Sequence, residues 1–461
     1  MSAPRVLVVG AGPAGVRAAE ALVAGGLTPM VVDEGRRAGG QIYRQPPAGF
    51  NRPGAALYGF EAAKAGRLHA SFAALDGRID HHPETLVWSL SDGVAHTLRD
   101  GARDEIPYDA LVIASGAFDR VAPFAGWTTP GVFTLGGAQV ALKSQGCAVG
   151  RRTVFAGSGP LLYLVAWQYA RAGAQVAAVL DAAPLGTKLS ALGGMLAGGA
   201  ALFKGLYYAA ALQARGITLA HGVLPQEAIG GTRVAALRYR DARGREREVA
   251  CDAVATGFGL LPETRLADIA GCRFAFEAAS RHWLPETDGD GRTAVARVYL
   301  AGDGAAIAGA DAAEAAGELV AYALLADLGR GVPMARVAAL RRRLARARRF
   351  ARALDAAFPF PADFAAATPD DTILCRCEAV RAGVLRAAVA ELGVVEINRA
   401  KALTRLGMGR CQGRVCGAAA AEVIAAALGS TAEAAGRLRG QAPVKPVPLA
   451  MAGPPNMSEQ S

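Results

Sequence analysis

The chain opens with a short continuous run of apolar residues that ends in a cluster of glycines. Apolar runs at residues 5–9 and 29–32 flank an alanine-rich stretch with helical periodicity at residues 13–24. Continuous apolar strands separated by a helix predict a βαβ unit whose parallel strands are covered on both faces. The same order begins again at residue 153 and extends to residue 180. The pattern predicts an α/β fold with two Rossmann-like dinucleotide-binding domains.

The turn after the first strand has the sequence Gly-Ala-Gly-Pro-Ala-Gly and is followed by an acid at the end of the second strand. The first glycine permits a tight turn, the second lets a pyrophosphate approach the backbone, and the third lets the helix pack on the strand. The helix N-terminus presents unpaired amides to the phosphates, and the acid can accept hydrogen bonds from ribose hydroxyls. These features predict a dinucleotide site at Gly10, Gly12, Pro13, Ala14, Gly15 and Asp33.

The second unit departs from this pattern at one position. Gly157 and Gly159 form its turn, and its later strand ends in Asp181. Leu162 stands where the third glycine is expected, and its side chain would hold the helix farther from the strand. Two alternatives therefore stay open for the middle domain, which are a bound NAD(P) at Gly157, Gly159 and Asp181, or a vestigial, structural role.

Three further apolar strands end in turns of small residues. Residues 108–116 and 251–257 are matched strands that close the two nucleotide domains. The third strand, residues 298–300, precedes Asp303 and a helix-like stretch at residues 312–326. An aspartate at this point can bond a ribityl hydroxyl while the following helix points its N-terminus at a phosphate.

Length and composition place these units in a multidomain enzyme. The chain has 461 residues, of which 52% are hydrophobic and 20% charged, and this balance argues against disorder. At roughly 100 to 200 residues per domain we expect two to four domains. The first residues lack a basic segment before an apolar core, and the apolar residues 189–203 are too few to span a bilayer. We expect a cytoplasmic protein without a membrane span.

The net charge of +10 is concentrated in one segment, where eight arginines lie between Arg336 and Arg352 at helical spacing with apolar residues. A solvated helix face and a surface for an acidic partner are the two interpretations. Nucleic acid is not an expected partner, because no aromatic platform or binding motif accompanies the charge.

Four of the seven cysteines fall in two close pairs near the C-terminus, at Cys375, Cys377, Cys411 and Cys416. Four thiolates in two pairs can ligate two irons, and the nearby glycines let backbone amides turn toward the cluster sulfurs. Zinc is the alternative, although zinc sites usually space a cysteine pair more widely than Cys-X-Cys. The remaining cysteines, for which we expect core packing, are Cys147, Cys251 and Cys272.

Taken in order, GAGPAG, the acid, GGQ, IASGA, GSGP, ATGFGLLP and LAGDG resemble the two-dinucleotide-domain flavoprotein reductases up to about residue 330. The resemblance implies that the inserted middle domain holds NAD(P)H and that Asp303 contacts the ribityl chain. The dithiol of the thioredoxin reductase branch is missing, so a dithiol mechanism is not expected. The residues that the resemblance assigns to FAD are Gly10, Gly12, Pro13, Ala14, Gly15, Asp33, Gly40, Gln41, Ala114, Gly116 and Asp303.

The second cysteine pair lies in the sequence TRLGMGRCQGRVC, which resembles the bacterioferritin-associated-ferredoxin-like [2Fe–2S] module. Fused behind such a flavoprotein, it resembles the α-type subunits of heteromeric amino- and imino-acid dehydrogenases, a group that includes opine oxidase, hydrogen cyanide synthase and D-hydroxyproline dehydrogenase. The resemblance implies a catalytic partner of amine-oxidase flavoprotein type, room for a further small subunit, and an external electron acceptor.

These observations predict five segments. They are an FAD-binding domain at residues 1–140 and 285–330, an NAD(P)-binding-like domain at 141–284, an arginine-rich helix and linker at 331–369, a small helical [2Fe–2S] domain at 370–432, and a proline-rich tail at 433–461. We expect no fixed structure from Gln441 onward.

The predicted function is electron transfer in a heteromeric dehydrogenase that oxidises an amino or imino acid of hydroxyproline or proline, opine or glycine type. The alternatives are a stand-alone NAD(P)H-dependent reductase of a ferredoxin-type carrier and a scaffold subunit. No Ser/His/Asp or Cys/His constellation is present in the sequence, so no catalytic residue is assigned.

Overall fold

The computed structural model describes residues 3–50, 52–361 and 363–448, and these fold as the α/β protein that the apolar pattern predicts. In this part of the chain the strands are β1 (Val6–Val9), β2 (Met30–Val32), β3 (Asp80–His82), β4 (Thr85–Ser91), β5 (Val94–Arg99), β6 (Ala102–Pro107), β7 (Ala110–Ile113), β8 (Ala117–Asp119), β9 (Val132–Thr134), β10 (Arg152–Ser158), β11 (Gln175–Asp181), β12 (Thr218–His221), β13 (Leu224–Ile229), β14 (Ala236–Arg240), β15 (Glu246–Ala250), β16 (Ala253–Phe258), β17 (Leu260–Pro262), β18 (Phe274–Glu277), β19 (His282–Pro285), β20 (Val298–Leu300), β21 (Ile373–Cys375) and β22 (Val380–Arg381).

The helices alternate with the strands in the first part of the chain and predominate toward the C-terminus. They are α1 (Pro13–Ala24), α2 (Gly54–Tyr58), α3 (Ala62–Ala73), α4 (Leu135–Ser144), α5 (Pro160–Arg171), α6 (Leu185–Ser190), α7 (Leu192–Met195), α8 (Ala200–Gln213), α9 (Arg265–Ile269), α10 (Ala310–Asp327), α11 (Met334–Ala357), α12 (Phe364–Ala367), α13 (Ala382–Leu392), α14 (Ile397–Thr404), α15 (Gly417–Leu428) and α16 (Ala432–Ala435).

Two parallel five-stranded sheets form the two dinucleotide-binding units. The first has the strand order β20-β7-β1-β2-β3, and the second has the order β12-β11-β10-β16-β9. In each sheet the first strand of the unit, β1 or β10, lies between two other strands. The later strands are added first on one side of it and then on the other, so the strand order reverses at this strand. The crevice at the carboxyl ends of such strands is where ligands of open α/β sheets bind.

Helix α10, which follows the middle domain in sequence, returns to pack against α1. The approach is close because both helices present small residues: a Cβ on Gly317 would lie 1.9 Å from the carbonyl oxygen of Ala14. The surrounding core is aliphatic and includes Leu22 and Leu324, both without solvent exposure. This contact joins the two segments of the first domain, which are separated by the whole middle unit.

The C-terminal helices form their own core, in which Leu385, Ile397 and Val423 are fully buried. Phe258, from the end of β16, belongs to the same cluster, so the C-terminal part packs directly on the reductase body. Helix α13 begins at Ala382 instead of directly after the first cysteine pair, because Val380 pairs with Cys375 in an antiparallel hairpin.

The expectation of an unstructured tail is wrong for the part that the structure describes. The Val444 side chain is buried, its backbone N–H donates to the Trp88 carbonyl at 2.9 Å, and its own carbonyl accepts from Arg414 at 2.7 Å. Lys445 pairs with Glu34. The rest of the predicted tail, residues 449–461, lies outside the described residues.

Helix α11 carries the arginine cluster and buries Val337, Leu340 and Leu344 against the body, as the helical spacing predicts. Its outward arginines are partly used within the chain, since Arg341 pairs with Asp290 at 2.6 Å. No single helix within the described ranges is long and apolar enough to cross a membrane, whereas residues 192–198 and 200–213 meet the criterion only as a pair bent by 110°.

We expect Gly317→Ala to lower the free energy of unfolding by about 2 kcal/mol, because the added methyl group overpacks the α1–α10 contact. Gly66→Ala, at a helical position with no atom within 4 Å of an added Cβ, is the matched control and should stabilise the protein slightly. Denaturant unfolding of the three proteins measures both effects. Equal stability of the Gly317→Ala variant and the wild type would show that the contact is not tight.

Candidate functional site

The glycine turn after β1 is held by close backbone packing at its two ends. Gly10 has φ +107°, and a Cβ there would lie 2.4 Å from the Ala114 carbonyl oxygen at the end of β7. A Cβ on Gly15 would lie 1.7 Å from the carbonyl oxygen of Gly10. Both glycines are therefore required by the fold itself, as the sequence pattern indicates.

Gly12, between them, has no such internal reason to be glycine. Its φ is −74°, which any residue adopts, and the nearest atom to an added Cβ is the Cα of Gly40 at 3.7 Å. No side chain caps the N-terminus of α1, where Pro13 begins the helix. The space beside Gly12 and the uncapped helix N-terminus fit the close approach of a pyrophosphate. Ala14 lies one residue into the same helix.

Asp33 lies at the edge of the first cradle, which is the glycine turn of residues 10–15 with the N-terminus of α1. Its carboxylate accepts hydrogen bonds from the backbone N–H groups of Ala11 and Gly35, both at 2.5 Å. Burial raises the pKa of Asp33 although these two bonds oppose the shift. The carboxylate thus fixes the glycine turn, and its contact with a ribose stays a prediction.

Asp303 is placed between β20 and α10, close to the same cradle. Its Oδ1 accepts from the N–H groups of Ala308 and Gly309 at 3.0 and 3.1 Å, and burial raises its pKa. The neighbouring Gly302 has φ +71°, and a Cβ there would lie 2.8 Å from the Cβ of Ala14. Asp303 is therefore close to the turn after β1, as a ribityl contact requires.

The remaining predicted flavin residues border the crevice. Ala114 and Gly116 follow β7, and no atom lies within 4 Å of a Cβ added to Gly116, whose φ is +75°. Gly40 faces Gly12 across the turn. Gln41 is exposed, and its Oε1 accepts from Arg44 at 2.9 Å.

The middle domain presents a different arrangement at the corresponding acid. The Asp181 side chain has no solvent exposure, and its Oδ2 accepts from the Tyr163 hydroxyl at 2.5 Å and from Lys188 Nζ at 2.6 Å. Lys188 also lies 2.8 Å from Nδ1 of His221. A carboxylate enclosed in this way has no free face for a ribose, unlike the role considered from the sequence.

The turn of the middle domain is nevertheless built on the same principle as the first. Gly157 has φ +146°, and a Cβ there would lie 1.8 Å from the Gly257 carbonyl oxygen. Gly159, with φ +105°, has open space around it. Leu162 of α5, in place of the third glycine, is fully buried in a core of aliphatic and aromatic side chains. Sequence reasoning missed Tyr163, Lys188 and His221, because only the tertiary fold brings them to Asp181.

The four C-terminal cysteines come together. Cys416 lies beside Cys375 and Cys411, and Cys411 lies beside Cys377. The contact with Cys416 lowers the pKa of Cys375 to about 6 and that of Cys411 to about 5, and backbone N–H groups of the surrounding turns act in the same direction. Burial raises the pKa of Cys377, and the contacts with Cys375 and Cys411 raise that of Cys416, so the thiolate, the form that binds metals, is favoured at two of the four positions. The turn is tight, since a Cβ on Gly409 would lie 2.3 Å from that of Cys377.

Four cysteine sulfurs in two pairs are a donor set that could hold a [2Fe–2S] cluster, with a single zinc ion as the alternative. Among the described residues, no three His, Cys, Asp or Glu side chains converge in the geometry of one metal ion. In a [2Fe–2S] cluster each iron takes only two cysteine sulfurs, so such convergence is not required. The residues that could hold it are Cys375, Cys377, Cys411 and Cys416.

The other cysteines are of two kinds. Cys251 and Cys272 are buried, and burial raises the pKa of each thiol, as expected for core residues. The prediction of core packing is wrong for Cys147, which is exposed at the surface beyond α4. Its segment leaves the helix before the cysteine, so the apolar residues before it do not carry it into the core.

Residues 4–323 match the family model of the pyridine nucleotide-disulphide oxidoreductases, and residues 376–454 match that of the sarcosine oxidase A3 domain. The chain therefore belongs to the pyridine nucleotide-disulphide oxidoreductase family and is a flavin-dependent oxidoreductase, which confirms the predicted class and fold.

The chain is 38% identical over 462 residues to the A subunit of opine oxidase from Agrobacterium tumefaciens, covering 96% of this chain and 90% of that one. It is 32% identical to the HcnB subunit of hydrogen cyanide synthase from Pseudomonas protegens, covering 99% and 98%. L-proline dehydrogenase from P. horikoshii has the same fold, with a TM-score of 0.74 and 20% identity over 98% of this chain and 79% of that one. The predicted resemblance to α-type subunits is confirmed.

We expect Gly12→Ala to fold normally and to lose flavin, because the added methyl group meets the Cα of Gly40 only at the ordinary contact distance of 3.7 Å but occupies the space beside the helix N-terminus. Gly15→Ala is the contrasting variant, since its methyl group clashes with backbone and should destabilise the fold itself. Released flavin per chain and the thermal midpoint separate the two. Full flavin content in folded Gly12→Ala would contradict the assignment of this turn.

Proposed function

We propose that the chain is the FAD- and [2Fe–2S]-containing electron-transfer subunit of a heteromeric dehydrogenase that oxidises an amino or imino acid. The observation that carries the proposal is the convergence of four cysteine side chains in a small domain packed on a flavin-family oxidoreductase body. The names of its relatives support the substrate class, since they include opine oxidase and hydrogen cyanide synthase subunits.

FAD bound at the first domain would exchange electrons in pairs, and the cluster would pass them singly to an acceptor. The chain's own contribution is to bind and orient these groups. The N-terminus of α1 and Gly12 would take the pyrophosphate, Asp33 the adenosine ribose and Asp303 the ribityl chain. The four cysteines would ligate the irons, and the buried hairpin at Cys375 would exclude water from one side of them.

Substrate oxidation belongs, in this proposal, to a partner subunit of amine-oxidase flavoprotein type. The relatives are named as subunits, which supports a multisubunit assembly. In this proposal Asp33 and Asp303 bind the adenosine ribose and the ribityl chain, so neither is assigned the role of a base for an amine. A further small subunit would complete the assembly, and hydroxyproline or proline, an opine and glycine are the substrate candidates.

The burial of Asp181 argues against the NAD(P)H-dependent reductase. Tyr163 and Lys188 occupy the carboxylate that would recognise the ribose, and exposing it would break a buried ion pair at a cost of about 3 kcal/mol or more. We therefore propose that the middle domain acts structurally and that electrons enter from the partner subunit.

We expect Cys411→Ser to lose iron and acid-labile sulfide while retaining flavin, because the cluster loses one of its four thiolates. Cys147→Ser is the matched control, since that thiol is exposed and distant in sequence from the cluster loops. Iron, sulfide and flavin analysis of each purified protein measures the effect. Zinc without sulfide in the wild type would contradict the cluster, and dissociation of the complex in Cys411→Ser by size exclusion would instead support a scaffold role.

The function is tested on the chain co-purified with any co-encoded flavoprotein. We expect one of proline, hydroxyproline, an opine or glycine to reduce a dye through the complex, and the chain alone to give no activity. NADH added anaerobically should leave the flavin absorbance unchanged, because Asp181 is enclosed. Rapid bleaching by NADH together with no activity on any amino or imino acid would overturn the proposal in favour of the reductase.

A further inference from the structure

One glutamate connects the flavin crevice with the cysteine loop. Glu263 follows β17, and its backbone is tied to the turn after β7: its N–H donates to the Gly116 carbonyl at 2.9 Å, and its carbonyl accepts from the Ser115 hydroxyl at 2.6 Å. Gly116 borders the predicted flavin site. The backbone of Glu263 is thus fixed relative to the first cradle.

The side chain of Glu263 points the other way, toward the cysteines. Its Oε2 accepts from Nε of Arg414, which lies in the loop between Cys411 and Cys416. The same arginine donates through Nη1 to the carbonyl of Cys411 at 3.4 Å. One carboxylate therefore contacts the loop that holds two of the four thiols.

Arg265 provides a second connection through the same glutamate. Its backbone N–H and Nη1 donate to Oε1 of Glu263 at 3.2 and 3.4 Å. Its Nε and Nη2 both donate to the carbonyl of Gln412, at 3.1 and 2.8 Å. The carbonyl of Gln412, the residue after Cys411, therefore accepts two hydrogen bonds from the Arg265 guanidinium, and Glu263 orients that guanidinium.

These groups are shielded from water. The side chains of Glu263, Arg265 and Arg414 are exposed by only 16%, 15% and 13%. Burial would raise the pKa of Glu263, but the two guanidinium groups outweigh it and hold the pKa below its usual range. The carboxylate is therefore ionised at neutral pH, and its removal would leave two nearly buried cations with reduced compensation.

Other ion pairs join the C-terminal part to the body. Arg437 pairs with Asp268 of α9 at 2.6 Å, but the neighbouring Leu438 packs against Gly413 of the cysteine loop. Arg281 instead pairs with Glu422, in the second turn of α15 and beyond the loop. The Arg281–Glu422 pair therefore docks the domain, whereas the Glu263 contacts place the loop of Cys411 and Cys416.

We propose that Glu263 is a positioning residue that fixes the Cys411–Cys416 loop against the Ser115–Gly116 turn and so sets the separation between flavin and cluster. The inference rests on the proposed function. Because electron transfer depends steeply on separation, a loosened loop slows it even when both cofactors remain bound. Glu263 also balances the charge of Arg265 and Arg414 beside the cluster, and net charge is one determinant of cluster potential.

The test uses the assembled complex with Glu263→Gln, which keeps the size of the side chain and removes its charge. Flavin, iron and sulfide contents should equal those of the wild type. After substrate addition, the rate of cluster reduction should fall by about ten-fold, since small displacements of reacting centres are costly. The cluster potential, from an EPR-monitored redox titration, should shift to a more positive value.

Arg281→Gln is the matched control, because it breaks the ion pair with Glu422 of the same interface and leaves the Cys411–Cys416 loop untouched. It should leave both the reduction rate and the potential unchanged. Glu263→Asp, which keeps the charge on a shorter side chain, should restore the potential. Equal slowing in Glu263→Gln and Arg281→Gln, or no slowing in either, overturns the inference and makes Glu263 an ordinary docking contact.

If Glu263→Gln fails to retain iron, Arg265→Lys takes its place, because lysine keeps the charge and loses the two-armed grip on Gln412. Slower cluster reduction at an unchanged potential is the expected result, and an unchanged rate overturns the inference. Failure of the proposed function is distinguishable, because the wild-type complex would then contain no cluster or show no substrate-driven reduction of it.

Discussion

The contact between α1 and α10 is the constraint on which the first domain depends. Ala14 lies at its centre: a Cβ on Gly317 would meet its carbonyl oxygen, a Cβ on Gly302 would meet its methyl group, and a Cβ on Gly15 would meet the carbonyl oxygen of Gly10. Because α10 comes after the middle domain in sequence, this contact and the pairing of β20 with β7 join two distant segments into one sheet-and-helix unit. Asp303 reaches the turn after β1 only because that unit is closed.

The two dinucleotide-binding units show how one architecture supports different outcomes. In the first, Asp33 is bonded only to backbone amides, and the space beside Gly12 is left open. In the second, the corresponding acid is enclosed by side chains from α5 and α6. The second unit keeps the sheet and the glycine turn, but its acid, Asp181, is bonded to side chains of the same domain. The fold alone therefore does not establish that a ligand binds.

Sequence reasoning succeeded where local sterics decide the structure. The glycine turns and the short buried strands follow from backbone geometry that only certain residues allow, so Gly10, Gly15 and Gly157 could be assigned without tertiary information. It left two roles open for Asp181, whose enclosure depends on a lysine of a later helix, and it was wrong for Cys147, where the end of a helix decides exposure. The Glu263 contacts were equally invisible, because Arg414 is separated from Glu263 by 151 positions and no local pattern links them.

The segment at Val444 and Lys445 couples the first domain to the cysteine loop. Val444 and Lys445 bind strand β4 and Glu34 of the first domain, and the Val444 carbonyl also accepts a hydrogen bond from Arg414 beside the cysteine loop. Arg414 is therefore held from two sides, by Glu263 and by this segment. A displacement of strand β4 would consequently be transmitted to the Cys411–Cys416 loop, although the strand and the loop are far apart in sequence.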